Sequence, residues 1–125
     1  MKNNESKEMY LETIYILEES HGHAHVAEIA SLLKVTKPSV TKAMKSLKED
    51  EMIFKEKYGS ITLTDKGKKL AKKVYDKHRI ISKYIMHSLG LSSKEAAINA
   101  CKMEHVVTDE MIVAIKQYLK NHEID

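Results

Sequence analysis

Cys101, Glu104 and His105 are the residues best placed to do chemistry together. They stand at i, i+3 and i+4 within ACKMEHVVTDE, residues 100–110. In a helix that spacing puts a thiol, a carboxylate and an imidazole on one face. All three bind first-row transition metals, so together they can supply half a coordination shell. The rest must come from elsewhere in the chain. Met9 and Glu12, also three apart, are candidates on an N-terminal helix. His78 is another, because it interrupts an apolar helical stripe where a neutral imidazole needs a partner. The blander readings are a small buried hydrophobe for the cysteine, packing for Met9, an ordinary helix pair for Glu104 and His105, and a backbone-bonded His78. The spacing is not that of a zinc finger, which needs paired Cys or His motifs. His21, His23 and His25 alternate in a probable loop and read as solvated imidazoles that could catch a metal adventitiously.

Elements that hold these residues can be read from periodicity. Tyr10, Ile14 and Leu17 mark an amphipathic helix over residues 8–19, which SHGHAH (20–25) breaks. Val26, Ile29, Ala30 and Leu33 share one face of a short second helix. A turn at Lys34 and Val35 leads to Thr36, which can cap a third helix with Pro38 in its first turn. There Val40, Met44 and Leu47 face inward, while Lys37, Pro38, Ser39, Thr41, Lys42 and Lys45 face outward. MIFKEKYGSITLT (52–64) is rich in strand formers around a Tyr58-Gly59-Ser60 turn and predicts a β-hairpin. Thr64 can cap a long helix running to about Leu89, with Leu70, Val74, His78, Ile81 and Ile85 as its stripe. Gly90 ends it. Ser92 and Glu95 have capping-box spacing and open the helix that carries Cys101. Thr108 can cap a last helix whose apolar residues include Met111, Ile115 and Tyr118.

The predicted fold is mainly α: a winged helix-turn-helix over residues 1–71, then a helical metal-binding and dimerisation region over 72–125. Residues 34–91 hold 15 Lys or Arg against 6 Asp or Glu, although the whole chain has a net charge of only +3. A basic middle between acidic flanks fits one surface for a polyanion and another for cations. With the third helix in the major groove, Ser39, Thr41 and Lys42 reach base edges, and Lys34, Lys37 and Lys45 touch phosphates. Thr36 and Pro38 belong to the same DNA-facing end. Lys55 and Lys57 on the hairpin reach the backbone beside the groove. Two copies reading a near-palindromic operator would supply the specificity that one module lacks. The apolar residues of the last helices are the expected homodimer interface.

The remaining composition narrows the class. No apolar run approaches the length of a membrane span. MKNNESKE has no apolar stretch after it and does not resemble a secretory signal. A single cysteine fits a reducing compartment, so the expected location is the cytoplasm. Cys101 and His105 form a Cys–His pair, but no oxyanion hole or Gly-rich loop accompanies it, so no enzyme activity is expected.

EMYLETIYIL (8–17), KPSVTKAMKSL (37–47), LTDKGKKLA (63–71), KHRIISKYI (77–85) and ACKMEHVVTDE resemble the diphtheria toxin repressor and manganese transport regulator family. The resemblance covers nearly the whole chain. LTDKG is common among winged helices, whereas EMYL paired with C-x-x-E-H at this separation is specific. The resemblance implies a dimeric, metal-activated repressor that controls metal homeostasis genes. It implies that Met9, Cys101, Glu104 and His105 match the iron-type primary site, and that Glu12 and His78 match positions of the manganese-type binuclear site. The chain is a mixture. Met9 stands where manganese-type members have aspartate, and Cys101 where they have glutamate. Two further ligand positions of the iron-type ancillary site fall on Ser82 and Ala97, which cannot replace a carboxylate and an imidazole. The SH3-like C-terminal domain of many iron-type members is expected to be lacking. Sulfur ligation shifts preference from Mn(II) towards Fe(II), so Fe(II) is the expected activator and Mn(II) the second. Zn(II), Co(II) and Ni(II) are expected to bind in vitro. The alternative is a winged-helix regulator that senses redox state or a non-metal ligand.

Overall fold

A computed structural model describes residues 4–56 and 59–124. Among these, six helices and one two-stranded sheet follow the order α1 (Asn4–His21), α2 (Val26–Leu33), α3 (Lys37–Glu49), β1 (Ile53–Lys55), β2 (Ile61–Leu63), α4 (Asp65–Leu89), α5 (Ser93–Met103) and α6 (Asp109–Asn121). The chain divides into two compact units, one up to Lys72 and one from Lys73. Each has its own hydrophobic core.

In the first unit, α1 buries Tyr10, Ile14 and Leu17, the helical stripe legible in the sequence, and also Leu11. It begins four residues before the expected start. Helix α2 ends at Lys34, whose φ of 57° is left-handed. The Lys34 N–H donates to the Ala30 carbonyl, and so does the N–H of Val35, which closes the end of α2. Three residues then suffice to start α3. The Thr36 hydroxyl accepts from the Ser39 N–H at 3.2 Å, and Pro38 occupies the first turn, where no N–H is needed. Val40, Met44 and Leu47 are buried, and the opposite face of α3 is left to solvent.

β1 and β2 pair antiparallel, with Ile53 opposite Leu63 and Lys55 opposite Ile61. Alternation sends Ile53, Ile61 and Leu63 into the core and leaves Phe54 exposed. A third short segment joins this wing. Ala24 and Ile61 exchange both backbone hydrogen bonds, at 2.9 and 2.8 Å. The stretch read as a loop at residues 20–25 is thus partly strand-like. Glu18 adds another tie, its carboxylate accepting from the Leu63 N–H at 2.9 Å.

Thr64 caps α4 through the Gly67 N–H, at 3.0 Å. Gly67 has a second reason for its identity. A Cβ there would lie 2.0 Å from the Met52 carbonyl oxygen, a backbone atom that cannot swing away. Gly67→Ala is therefore expected to destabilise the first unit by roughly 1–3 kcal/mol, despite alanine's better helix propensity. Urea unfolding of the variant checks this; equal or higher stability would mean that α4 shifts freely over the wing.

The second unit packs Ile81 and Ile85 of α4 with Ala96 and Ala100 of α5 and Ile112, Ile115 and Leu119 of α6. Ser92 caps α5 through the Glu95 N–H. The reciprocal half of a capping box is replaced, because the Glu95 carboxylate accepts instead from the Asn99 side chain. Thr108 caps α6 through the Met111 N–H, as expected. The inward face of α6 runs through Ile112, Ile115 and Leu119, and Met111 is exposed.

Candidate metal centre and DNA-facing surface

Glu104 is the most deeply buried charged residue described, at 0% exposure. It sits just past the end of α5 with helical backbone angles, its N–H bonded to the Ala100 carbonyl at 2.9 Å. The helical path therefore continues far enough to aim its side chain inward. A carboxylate without water must find partners. It has two imidazoles. His78 Nδ1 lies 2.9 Å from Oε1 and His105 Nε2 lies 3.2 Å from Oε2. His78 comes from α4, 26 residues away, and answers the need for a partner that its place in an apolar stripe creates. A carboxylate only accepts, so a hydrogen bond in this pair is donated by Nδ1 of His78.

The second contact is of a different kind. Oε2 of Glu104 and Nε2 of His105 do not align as a hydrogen bond. Two donors each ~2.1 Å from one ion at right angles stand ~3.0 Å apart, close to the separation found here. The side chain of His105 is 3% exposed. A buried oxygen and nitrogen held side by side at this spacing fit a transition metal by donor type and by distance. Cys101 itself is exposed on α5, so its sulfur is within reach of solvent. Met9 and Glu12 lie on α1 in the first unit; Glu12 is buried and Met9 half-buried. The Met9 carbonyl accepts from the Thr13 hydroxyl at 2.9 Å.

The DNA-facing candidates present a consistent surface. Lys34, Thr36, Lys37, Pro38, Ser39, Thr41, Lys42 and Lys45 are all exposed, as is Lys55 on β1. Lys57 lies outside the described residues. The Thr36 hydroxyl also donates to the Ser39 hydroxyl oxygen at 2.9 Å. Ser39 Oγ is thereby held in place with its own hydrogen still available to a base edge. Three features escaped the sequence reading: the Ala24–Ile61 bridge, the Glu18 tie to the wing, and the pairing of His78 with Glu104.

Comparison with known proteins agrees with both units. Residues 3–61 match the iron dependent repressor N-terminal DNA binding domain. Residues 64–125 match the iron dependent repressor metal binding and dimerisation domain. An uncharacterised HTH-type transcriptional regulator of Methanocaldococcus jannaschii is 37% identical over 118 residues, covering 94% of each chain. The HTH-type transcriptional regulator MntR of Bacillus velezensis is 33% identical, over 96% of this chain and 84% of that one. Among solved structures, the manganese regulator SloR superposes with a TM-score of 0.80 at 32% identity, over 91% of this chain and 53% of that one. The IdeR of T. acidophilum superposes with a TM-score of 0.84 at 27% identity, over 94% and 54%. The chain spans about half the length of these two solved proteins. No described helix is long and apolar enough to cross a membrane. With both domain models matched in order over nearly its full length, the chain belongs to the diphtheria toxin repressor and manganese transport regulator family of metal-dependent transcriptional repressors.

Proposed function

We propose that this family member represses metal homeostasis genes in the cytoplasm as an Fe(II)-activated homodimer on a near-palindromic operator, with Mn(II) as the second activator. The buried Glu104 carboxylate between His78 and His105 carries the reading. Glu104, His105 and Cys101 would hold the ion, with Met9 and Glu12 added on the strength of the sequence resemblance. His78, already bonded to Glu104, either orients that carboxylate or offers its Nε2 to a second ion. When bound, the ion would supply positive charge beside a buried carboxylate.

The chain's own residues do the rest. Cys101 loses its proton to ligate, so activation weakens in acid. Its sulfur favours Fe(II) over Mn(II). Ligation by Met9 and Glu12, as the resemblance implies, would restrict α1, the helix that precedes the helix-turn-helix. DNA then prefers the metal-loaded protein, and by linkage DNA tightens metal binding by the same factor. In the second unit Leu89, Leu91, Ile98, Val106, Met111 and Val113 expose large apolar side chains, which suits a dimer interface.

The test is anaerobic fluorescence anisotropy on DNA from upstream of the protein's own operon. Binding should appear with Fe(II), vanish with chelator, and require more Mn(II) than Fe(II). Cys101→Ala should keep the fold and lose most of the Fe(II) advantage. The exposure of Cys101 favours one competing reading, a redox-sensing regulator. That reading predicts operator binding that survives chelation and responds to oxidant instead.

A further inference from the structure

The histidines around the end of α1 form a cluster that the metal centre above does not use. The ring centroids of His21 and His23 are 5.3 Å apart, and those of His23 and His25 are 4.7 Å apart. Both pairs meet edge to face.

The backbone explains why they gather. Gly22, with φ of +94°, turns the chain at the end of α1 and sets His21 above the extended segment. Ala24 then points into the core at 0% exposure and is bonded twice to Ile61 of the wing. In an extended chain the residues on either side of Ala24 must point the other way together. Those residues are His23 and His25.

Glu28 on the first turn of α2 organises the ends of the cluster. One carboxylate oxygen lies 2.9 Å from His21 Nε2. The other accepts from the His25 backbone N–H at 3.0 Å. The carboxylate engages Nε2 of His21, and Nδ1 is the other ring nitrogen. A carboxylate behind a ligating imidazole is the usual outer shell of a histidine metal site.

We propose that His21, His23 and His25, with Glu28 as positioning residue, form a second divalent-cation site on the DNA-binding unit. Three imidazoles and no thiolate suit Zn(II), Ni(II) and Co(II) and discriminate against Mn(II). Coordination requires rotation of side chains at the surface, a nanosecond process. An ion held here links the end of α1, the segment bridged to the wing, and the first turn of α2. Occupancy therefore stiffens the entry to the helix-turn-helix independently of Cys101.

Anaerobic Co(II) titration of the full chain separates the two sites by spectrum. Thiolate-to-cobalt charge transfer reports Cys101, whereas a nitrogen and oxygen site gives ligand-field bands alone. The Cys101→Ala, Glu104→Gln double variant, which disables the first site, should lose the charge-transfer band and keep one visible equivalent per chain. Adding His23→Gln to that variant should remove this equivalent, and Glu28→Gln should weaken it by roughly 10- to 100-fold. Metal-free melting curves of the His23→Gln protein should match the parent, while Zn(II) should raise the parent's midpoint more than the variant's. Equal Co(II) binding with and without His23→Gln, or binding only at millimolar ion, overturns the proposal as adventitious surface capture.

Discussion

Replacing Glu104 with alanine is expected to abolish metal-dependent DNA binding and to weaken metal affinity by at least ~100-fold. The residue is fully buried and faces His78 through one oxygen and His105 through the other. Alanine removes a ligand and also the acceptor for His78 Nδ1. Leaving that donor without its acceptor costs roughly 1–3 kcal/mol of stability, so the alanine variant alone cannot separate folding from metal binding. Glu104→Gln makes the separation. The amide keeps the shape of the side chain, and its carbonyl still accepts from His78. It carries no charge and only one acceptor oxygen. The glutamine protein should therefore melt near the parent temperature and still fail to respond to Fe(II) or Mn(II). Urea unfolding and an anaerobic competition titration read the two effects apart. A glutamine variant with parental metal affinity would remove Glu104 from the donor set and leave it a structural partner of two histidines.

The elements that carry the site were largely legible because they obey local rules. Periodicity located α2 to its end residues, and Thr36, Thr64 and Thr108 announced three helix starts that each show the expected hydroxyl-to-backbone bond. The spacing of Cys101, Glu104 and His105 was legible, and the structure buries Glu104 beside the His105 side chain while Cys101 is exposed. What was hidden depends on contacts far apart in sequence. His78 advertised a need for a partner but not which one, since nothing local connects it to a carboxylate 26 residues on. Glu18 carries no sequence signal of its role, yet its carboxylate accepts from the N–H of Leu63. Ala24 lies between two histidines with no strand pattern around it, and a single bridged residue leaves no periodic trace. The apolar residues of the last helix carry no phase by themselves, and the structure supplies one: Ile112, Ile115 and Leu119 face the core and Met111 is exposed. Hydrophobicity alone does not fix the phase of a short helix.

Substituting both Lys37 and Lys45 with alanine is expected to weaken operator and non-operator DNA binding alike. Both are exposed on α3 or at its start, beside the Ser39, Thr41 and Lys42 face. Each phosphate contact releases a counterion, so the slope of log affinity against log salt should become shallower by ~0.9 per lysine. Two lysines per chain, doubled in a dimer, give a change in slope of about 3.6, which a salt series in anisotropy resolves easily. Lys42→Ala should behave differently. A side chain reading base edges contributes about 1–3 kcal/mol of discrimination, so this variant should lose roughly 5- to 150-fold on the operator and less on other DNA. Ser39→Ala gives a sharper contrast, because it carries no charge and its hydroxyl is held by Thr36. It should leave the salt slope intact while narrowing the gap between operator and random sequence. If Lys37 and Lys45 prove sequence-selective and Lys42 and Ser39 do not, α3 enters the groove rotated from the orientation argued here. Its assignment as base reader would then pass to another part of the exposed face.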